Sequence, residues 1–509
     1  MAMTRRAFLR TAFAGAFAAG LGKRAAAQGG ARPNVLLICV DDLRPQLPCY
    51  GKTFMKTPHL DRFAESAAVF NRHYVAVPTC GPSRACLLTG RYPQDDAWYS
   101  NRVFDGLPRD EAFAKSTLPG AFRAAGYTTV SVGKVSDNPG GRRHAKPSDK
   151  FDDEGQMLRT GPNDGEPELA HAWDRVGMPT GEWGDPWSAF FGYEGGETRR
   201  YQPPKSPATE AADVPDTGYP DGLIAEEAIA ELRRLKEEPF LLAVGFYKPH
   251  LPFCAPKKYW DLYDPEALPL PPHPAPPATV DTSISLHTNG ELNNNYQALA
   301  NPHEATEAEA RHLRHGYFAC VSYVDAQIGK VLDELERLGL ADNTLVVVWG
   351  DHGWHLGDLH VWGKHTTFDW SLHSALLIRA PGMKAPGGHV DGIVESVDIF
   401  PTLADYCGVA MPHELAGASM RPLLDDPDAP GKEHAPGFWR RGNLNAVTLR
   451  TARYRYTQWT SRNGHVAQEE LYDHDTAPGE TINIAQDKPE VVLHFRGLLD
   501  RYPQARRGT

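Results

Sequence analysis

Five apolar, β-branched runs recur along the chain with helical patterns between them: Val35 to Val40, Thr128 to Val132, Phe240 to Val244, Leu345 to Trp349 and Ala375 to Ile378. Runs of this kind, apolar on both faces and alternating with helices, are what a parallel sheet buried under helices requires. Two long helices are legible, Gly222 to Lys236 before the third run and Glu307 to Leu338 before the fourth, each apolar along one face. These features predict an α/β fold in which helices cover a mixed, largely parallel sheet. Between about Asp137 and Pro220 the sequence is rich in Gly, Pro, Asp and Trp, and Pro265 to Pro277 is a proline tract. Both read as long surface excursions able to shape a substrate mouth. From about Arg421 the period shortens to alternating strands, clearest in Ala446 to Arg450 and Tyr454 to Thr457, and a closing helix follows. The expected division is a main domain over 28–420 and a small C-terminal α+β subdomain with an antiparallel sheet over 421–509.

The first 27 residues read as an export address and not as part of the fold. Thr4-Arg5-Arg6-Ala7-Phe8-Leu9-Arg10 is a twin-arginine n-region, Thr11 to Leu21 is mildly apolar, and Ala25-Ala26-Ala27 offers a small-residue cleavage site. The apolar stretch is too short, and too diluted by Gly and Ala, for a membrane span, which needs roughly 20 strongly apolar residues. The expected location is therefore periplasmic or secreted, with no stable membrane insertion. Loss of this segment removes five basic residues and no acid, moving the formal charge from -11 to -16. A broad nucleic-acid-binding or polyanion-binding surface is excluded on that charge, so an anionic substrate would need its countercharge concentrated in a pocket.

Seven cysteines are an odd count for an exported chain. Cys39 in an apolar run and Cys320 in a helical pattern read as inert, buried thiols. Cys49, Cys86, Cys254 and Cys407 could pair, in a connectivity that spacing does not give. Cys80 is set apart by its neighbours.

The first run ends in Asp41-Asp42 and the fourth in Asp351-His352. Ligands of open parallel sheets sit beyond the carboxyl ends of strands, so these two ends can bring three carboxylates and an imidazole together. That much negative charge repels itself unless a cation intervenes, and oxygen-rich ligation favours calcium or magnesium over zinc. Each dipeptide alone would be as well explained by a helix cap or a turn. His355, His360 and His365, five residues apart among glycines, do not share a helix face and do not suggest zinc. His373, shortly before the fifth run, reads as a packed residue.

Cys80-Gly81-Pro82-Ser83-Arg84, followed by Ala85-Cys86-Leu87-Leu88-Thr89-Gly90-Arg91, resembles the signature of the formylglycine-dependent (type I) sulfatases. Other segments resemble the iduronate-2-sulfatase-like branch of that family: Pro33 to Ile38 leading to Asp41-Asp42-Leu43-Arg44, Val132 to Val135, Gly245 to Phe253, Asp351 to Gly357, Trp362-Gly363-Lys364, Leu449 to Tyr456 and Glu470 to Asp473. The resemblance implies an alkaline-phosphatase-like fold, Cys80 oxidised to formylglycine by a formylglycine-generating enzyme, and one calcium ion held by Asp41, Asp42, Asp351, His352 and the modified Cys80. It further implies that Arg84 orients the formylglycine, that Lys134 and Lys364 clamp sulfate oxygens, and that His250 protonates the leaving oxygen of a sulfated carbohydrate. A hydrated formylglycine has two hydroxyls, one to attack sulfur and one whose deprotonation expels sulfate. The pattern departs from the branch at Asp137, where a histidine three residues after the lysine is usual. An added carboxylate beside a sulfate is electrostatically unfavourable, and His144 in the same excursion could serve instead. Two other activities fit the same residues: hydrolysis of a phosphate or phosphonate monoester, and non-catalytic binding of sulfated glycans with Cys80 left as a thiol.

Overall fold

The computed structural model describes residues 32–143, 165–200, 202–301, 303–476 and 479–502. The export segment and His144 lie outside them. Among the described residues, eight strands form one sheet: β1 Asn34–Val40, β2 Ala68–Phe70, β3 Thr128–Gly133, β4 Arg175–Gly177, β5 Phe240–Phe246, β6 Thr344–Gly350, β7 Leu376–Arg379 and β8 His389–Val390. Their order across the sheet is β8-β2-β7-β6-β1-β5-β3-β4. β1 is parallel to both β5 and β6, whereas β7 runs antiparallel to its two neighbours. The sheet is thus mixed and largely parallel, and the five runs of the sequence supply β1, β3, β5, β6 and β7.

Alternation along each central strand sorts the two faces. Leu36, Ile38 and Val40 of β1, with Val346 and Val348 of β6, join one buried cluster. That cluster also takes in Ile224, Ala228 and Leu232 of helix α3 (Pro220–Leu235) and Val324, Ile328 and Val331 of helix α5 (Glu307–Arg337). Val35 and Leu37, with Leu345 and Val347, face the other way, onto helix α2 (Cys80–Thr89) and the C-terminal region. Every residue of the three central strands is buried, so neither face could carry polar groups.

The C-terminal region forms a four-stranded antiparallel meander, β9 Ala435–Arg441, β10 Leu444–Arg450, β11 Tyr454–Ser461 and β12 Val466–Asp473, closed by helix α6 (Pro489–Leu499). Its Val447, Leu449, Tyr456, Leu471 and Phe495 belong to the same cluster as the second face of the main sheet. All seven cysteines are free, so none of the pairings open to the sequence is made. No helix among the described residues is long and apolar enough to cross a membrane.

α5 also fixes a neighbour through one buried carboxylate. The short helix α1 (Pro58–Ala64) opens with a proline and lacks a side-chain cap from its own N-cap residue. Asp325 of α5 accepts its free amides instead, from His59 N at 3.2 Å and Leu60 N at 2.7 Å. Burial pushes this carboxyl up to about 7. Asp325→Ala is expected to cost about 2 kcal/mol by stranding the buried Leu60 amide and the partly buried His59 amide. Asp325→Asn, which keeps an acceptor, is expected to cost less. Denaturation midpoints of the two variants check the order.

Candidate active site

Neighbouring strand ends create the site. β1 and β6 are parallel and in register, Val40 opposite Gly350, so Asp41-Asp42 and Asp351-His352 emerge side by side. Asp42 takes a left-handed backbone, φ 62°, unusual for a residue with a side chain. Two contacts hold it there: its amide donates to Asp351 Oδ1 at 3.0 Å, and its carbonyl accepts from Tyr317 Oη of α5 at 2.8 Å.

α2 approaches from the second face and points its N-terminus at these residues. Asn101 Oδ1 secures that end, accepting from Gly81 N at 3.2 Å and Thr79 Oγ1 at 3.1 Å. Cys80 is the first residue of α2, and its Sγ lies 3.3 Å from both Asp41 Oδ1 and His352 Nε2. One turn on, Arg84 donates from Nε to Asp351 Oδ2 at 2.9 Å and from Nη1 to the Lys134 carbonyl.

Lys134 leaves β3 where two glycines permit close passage. A Cβ on Gly245 would stand 1.9 Å from the Lys134 carbonyl oxygen, and one on Gly133 2.2 Å from the Gly245 carbonyl oxygen. The Lys134 ammonium reaches Asp41 Oδ2 at 2.6 Å. From the opposite side Lys364 reaches Asp42 Oδ1 at 2.9 Å and Cys80 Sγ at 3.2 Å. Both lysines stand against rings, Phe190 at 4.3 Å and Trp354 at 5.1 Å from their centroids.

His250 enters from the loop after β5. Asp221 at the start of α3 anchors that loop through the amides of Tyr247 and Lys248, and Lys248 Nζ donates to the carbonyls of His250 and Pro252. Its ring packs on Phe190 at 4.7 Å. The His250 Nε2 is 3.1 Å from Glu291 Oε1, on the short helix α4 (Gly290–Asn295) that follows the proline tract.

The structure therefore gathers all nine residues singled out in the sequence: Asp41, Asp42, Cys80, Arg84, Lys134, His250, Asp351, His352 and Lys364. All are buried. Three carboxylates, Asp41, Asp42 and Asp351, face three cations, Arg84, Lys134 and Lys364. Burial raises the Asp41 carboxyl, but Lys134, His250, Arg84 and Lys364 outweigh it and hold the group well below the usual carboxylate range. Asp42, where burial dominates over Lys364, is pushed up to about 7. Burial, reinforced by Asp41, raises the Cys80 thiol well above its ordinary value, so as a thiol it is a poor nucleophile.

The donor set could hold a metal ion. One ligand atom each from Asp41, Asp42, Cys80 and His352 lie within 4.8 Å of one another, and Asp42 Oδ2 is buried without a hydrogen-bond partner among the described residues. His352 Nδ1 faces the Gly353 carbonyl at 2.9 Å, which places the N–H there and turns the Nε2 lone pair inward. Asp351 lies beside that four, with one hydrogen bond on each oxygen, from Asp42 N and from Arg84, which leaves each a free lone pair.

Asp137 is buried as well. Its carboxyl carbon would lie 3.1 Å from a Cβ on Gly81, beside the start of α2. Behind it Glu168, also buried, accepts from Asn138 N at 2.9 Å and Asn138 Nδ2 at 2.7 Å. Burial is the main cause that pushes Asp137 up to about 6 and Glu168 up to about 8, and the Asp137 charge adds to the rise at Glu168. Lys134 and Arg84, which work against the rise at Asp137, set cations beside its carboxylate, and this lessens the conflict with an anion expected from sequence. Sequence reasoning missed Glu291 and Glu168, which lie in the two excursions with no pattern around them. It also missed Trp439 of β9, whose ring stacks on His365 at 5.2 Å and 8°. His355 and His365 take separate partners, Thr366 and Thr79, and form no metal group among the described residues.

Known proteins resemble the chain along nearly its whole length. The sulfatase family model matches residues 33–409, and one described as N-sulphoglucosamine sulphohydrolase, C-terminal, matches residues 350–499. Iduronate 2-sulfatase of Mus musculus is 30% identical, over 91% of this chain and 93% of that protein. A sulfatase of Formosa agariphila is 28% identical, over 90% and 83%. Among solved structures, a phosphonate monoester hydrolase from Silicibacter pomeroyi superposes with a TM-score of 0.70 at 26% identity, over 94% of this chain and 96% of that one.

Arg84→Met is expected to destabilise the metal-free protein by about 3–5 kcal/mol, because it strands the buried Asp351 carboxylate. Arg84→Met combined with Asp351→Leu is expected to recover a substantial part of that loss. Thermal melting of the single and double variants checks the coupling.

Proposed function

The chain belongs to the sulfatase family and is a sulfuric ester hydrolase; we propose that its substrate is a sulfate ester on a sugar or similar alcohol, cleaved with a formylglycine made from Cys80 and one bound calcium ion. The observation that carries this reading is the place of Cys80. A buried, hard-to-ionise thiol lies 3.3 Å from an aspartate and a histidine and 3.2 Å from a lysine ammonium, at a helix N-terminus. A thiol there has no chemistry suited to a sulfate ester, whereas an oxygen nucleophile there has cations on three sides.

Asp41, Asp42, Asp351, His352 and the modified Cys80 would hold the calcium. When bound, calcium and the hydrated aldehyde at position 80 supply Lewis-acid charge and the attacking hydroxyl. Arg84 fixes the geometry of the site through Asp351 and orients residue 80. Lys134 and Lys364 face the pocket from opposite sides and neutralise charge growing on the sulfate oxygens. His250, held by the loop after β5, donates a proton to the leaving oxygen. Phe190 and Trp354 keep water from the two ammonium groups and strengthen their field. A formylglycine-generating enzyme is the partner implied by Cys80, and export by the twin-arginine route is the implied itinerary.

A sugar substrate is supported by the likeness to iduronate 2-sulfatase over more than nine-tenths of both chains. A phosphonate or phosphate monoester is the second reading, supported by the likeness to the Silicibacter pomeroyi enzyme. A phosphate monoester is dianionic and would meet Asp137 and Glu291 beside the three carboxylates at the strand ends, so charge disfavours it relative to the monoanionic sulfate; a phosphonate monoester, also monoanionic, is separated from sulfate by turnover alone.

Two measurements test the proposal. Peptide mass spectrometry across Cys80, on protein made with a formylglycine-generating enzyme, is expected to show the aldehyde, and Cys80→Ala to abolish sulfate release; an unmodified thiol with no turnover would leave glycan binding as the better reading. Calcium is expected to raise the melting temperature and restore sulfate release to chelated enzyme, with Asp42→Ala losing both effects. Faster turnover of phosphonate than sulfate monoesters would reverse the choice between the two ester classes.

A further inference from the structure

The role given to His250 leaves Glu291 without a part. Glu291 Oε1 stands 3.1 Å from His250 Nε2 and 3.8 Å from Lys364 Nζ. The other ring nitrogen, Nδ1, stands 2.6 Å from the Leu251 carbonyl oxygen. A carbonyl and an ionised carboxylate only accept hydrogen bonds, and a neutral imidazole has a single N–H. A ring with acceptors at both nitrogens is satisfied only as an imidazolium, donating from Nδ1 to Leu251 and from Nε2 to Glu291. The ring is otherwise enclosed by Phe190, Phe191 and Trp354, which offer no acceptor.

The charges facing the ring divide. Burial, foremost, and the Lys364 ammonium work against the cation, while Asp41 and Glu291 support it; the balance leaves His250 below the usual histidine value. Burial raises the Glu291 carboxyl, but Lys364 and the contact with His250 outweigh it and keep the group charged. The two acceptors call for a second proton on the ring, while burial and Lys364 keep that proton weakly held and ready to be given up.

We propose, on the basis of the sulfatase reading, that Glu291 is the positioning carboxylate of His250, holding Nε2–H in place until the ester oxygen takes the proton. As the bond between sulfur and the ester oxygen breaks, its electron pair passes to that oxygen and the Nε2 proton follows, so the alcohol leaves neutral. His250 is left neutral, with its Nε2 lone pair beside Glu291, an arrangement that favours recovery of a proton from water before the next turnover. A carboxylate so close to an anion-binding site works against substrate binding. It is useful only if the leaving group cannot depart as an anion, which is the case for a sugar or alkyl alcohol and not for a nitrophenol.

The test compares the aldehyde-bearing, calcium-loaded wild type with Glu291→Gln and His250→Ala on two esters, 4-nitrophenyl sulfate and a sugar or alkyl sulfate. Glu291→Gln keeps a hydrogen bond but removes the charge. It is expected to lower kcat on the sugar or alkyl ester about 30-fold or more and on the nitrophenyl ester less than about threefold. The alkaline limb of kcat on the poorer leaving group is expected to move about one pH unit lower, because loss of the negative charge lowers the imidazolium pKa. His250→Ala is expected to show the same selectivity between esters. If Glu291→Gln folds poorly, Glu291→Asp, with the charge on a shorter arm, is expected to show the same pattern in smaller measure. Equal losses on both esters, or an unmoved limb, would overturn the pair and leave the sulfatase reading standing. Equal losses in His250→Ala would remove His250 as the acid, and the pair with it. No sulfate release by the wild type from either ester would instead refute the sulfatase reading on which the pair rests.

Discussion

Three buried carboxylates at adjacent strand ends set the terms for everything around them. Register between β1 and β6 puts Asp41, Asp42 and Asp351 within one another's field, in a place where water cannot screen them. Each is answered from a different element: Lys134 from the end of β3, Lys364 from beyond β6, Arg84 from the first turn of α2. The sheet brings the acids together, and loops and a helix from both sides must converge to offset them. The convergence in turn fixes where Cys80 stands, since α2 can satisfy Asp351 with Arg84 only if its N-terminus lies against Asp41 and His352.

This arrangement gives the pocket two kinds of wall. The floor is rigid, made of strand ends, a helix and a left-handed Asp42 held by its amide and its carbonyl. The other wall, the rim, comes from the excursions, which contribute Phe190 and Phe191 against His250, and from the short helix that carries Glu291. Chemistry that many esters share belongs to the floor, and choice among alcohols belongs to the rim. Relatives named for different esters, matched along nearly the whole chain, are what such a division allows.

The floor was legible in the sequence because its residues sit at the ends of apolar runs or inside a compact motif. Strand ends can be located from hydrophobicity alone, and the parallel pairing follows from the helices between them. The rim was not legible. Glu291 lies on a six-residue helix with an uninformative neighbourhood, Gly290 to Asn295, and it meets His250 only because the fold returns that segment across the sheet. Glu168 is equally silent until its position behind Asp137 is known. β7 carried an ordinary apolar strand pattern, and nothing in four mostly buried residues states which way a strand runs. Long-range pairing decides these points, and residue order records it only through motifs.

The complete burial of α2 orders events in the life of the chain. All ten of its residues, Cys80 to Thr89, are sealed between the sheet and the C-terminal cluster. If a second enzyme oxidises Cys80, as proposed above, it must reach the peptide around that residue, and the folded protein buries it. On the formylglycine reading, chemistry at Cys80 would come before packing: the time available to a modifying enzyme closes when the sheet closes over α2. A chain that folds first keeps its thiol, and no later encounter with the modifier can correct it without unfolding. Yield of competent protein then becomes a race between two rates, that of oxidation and that of folding, and slow assembly of a sheet with widely separated strands lengthens the interval in which oxidation can win.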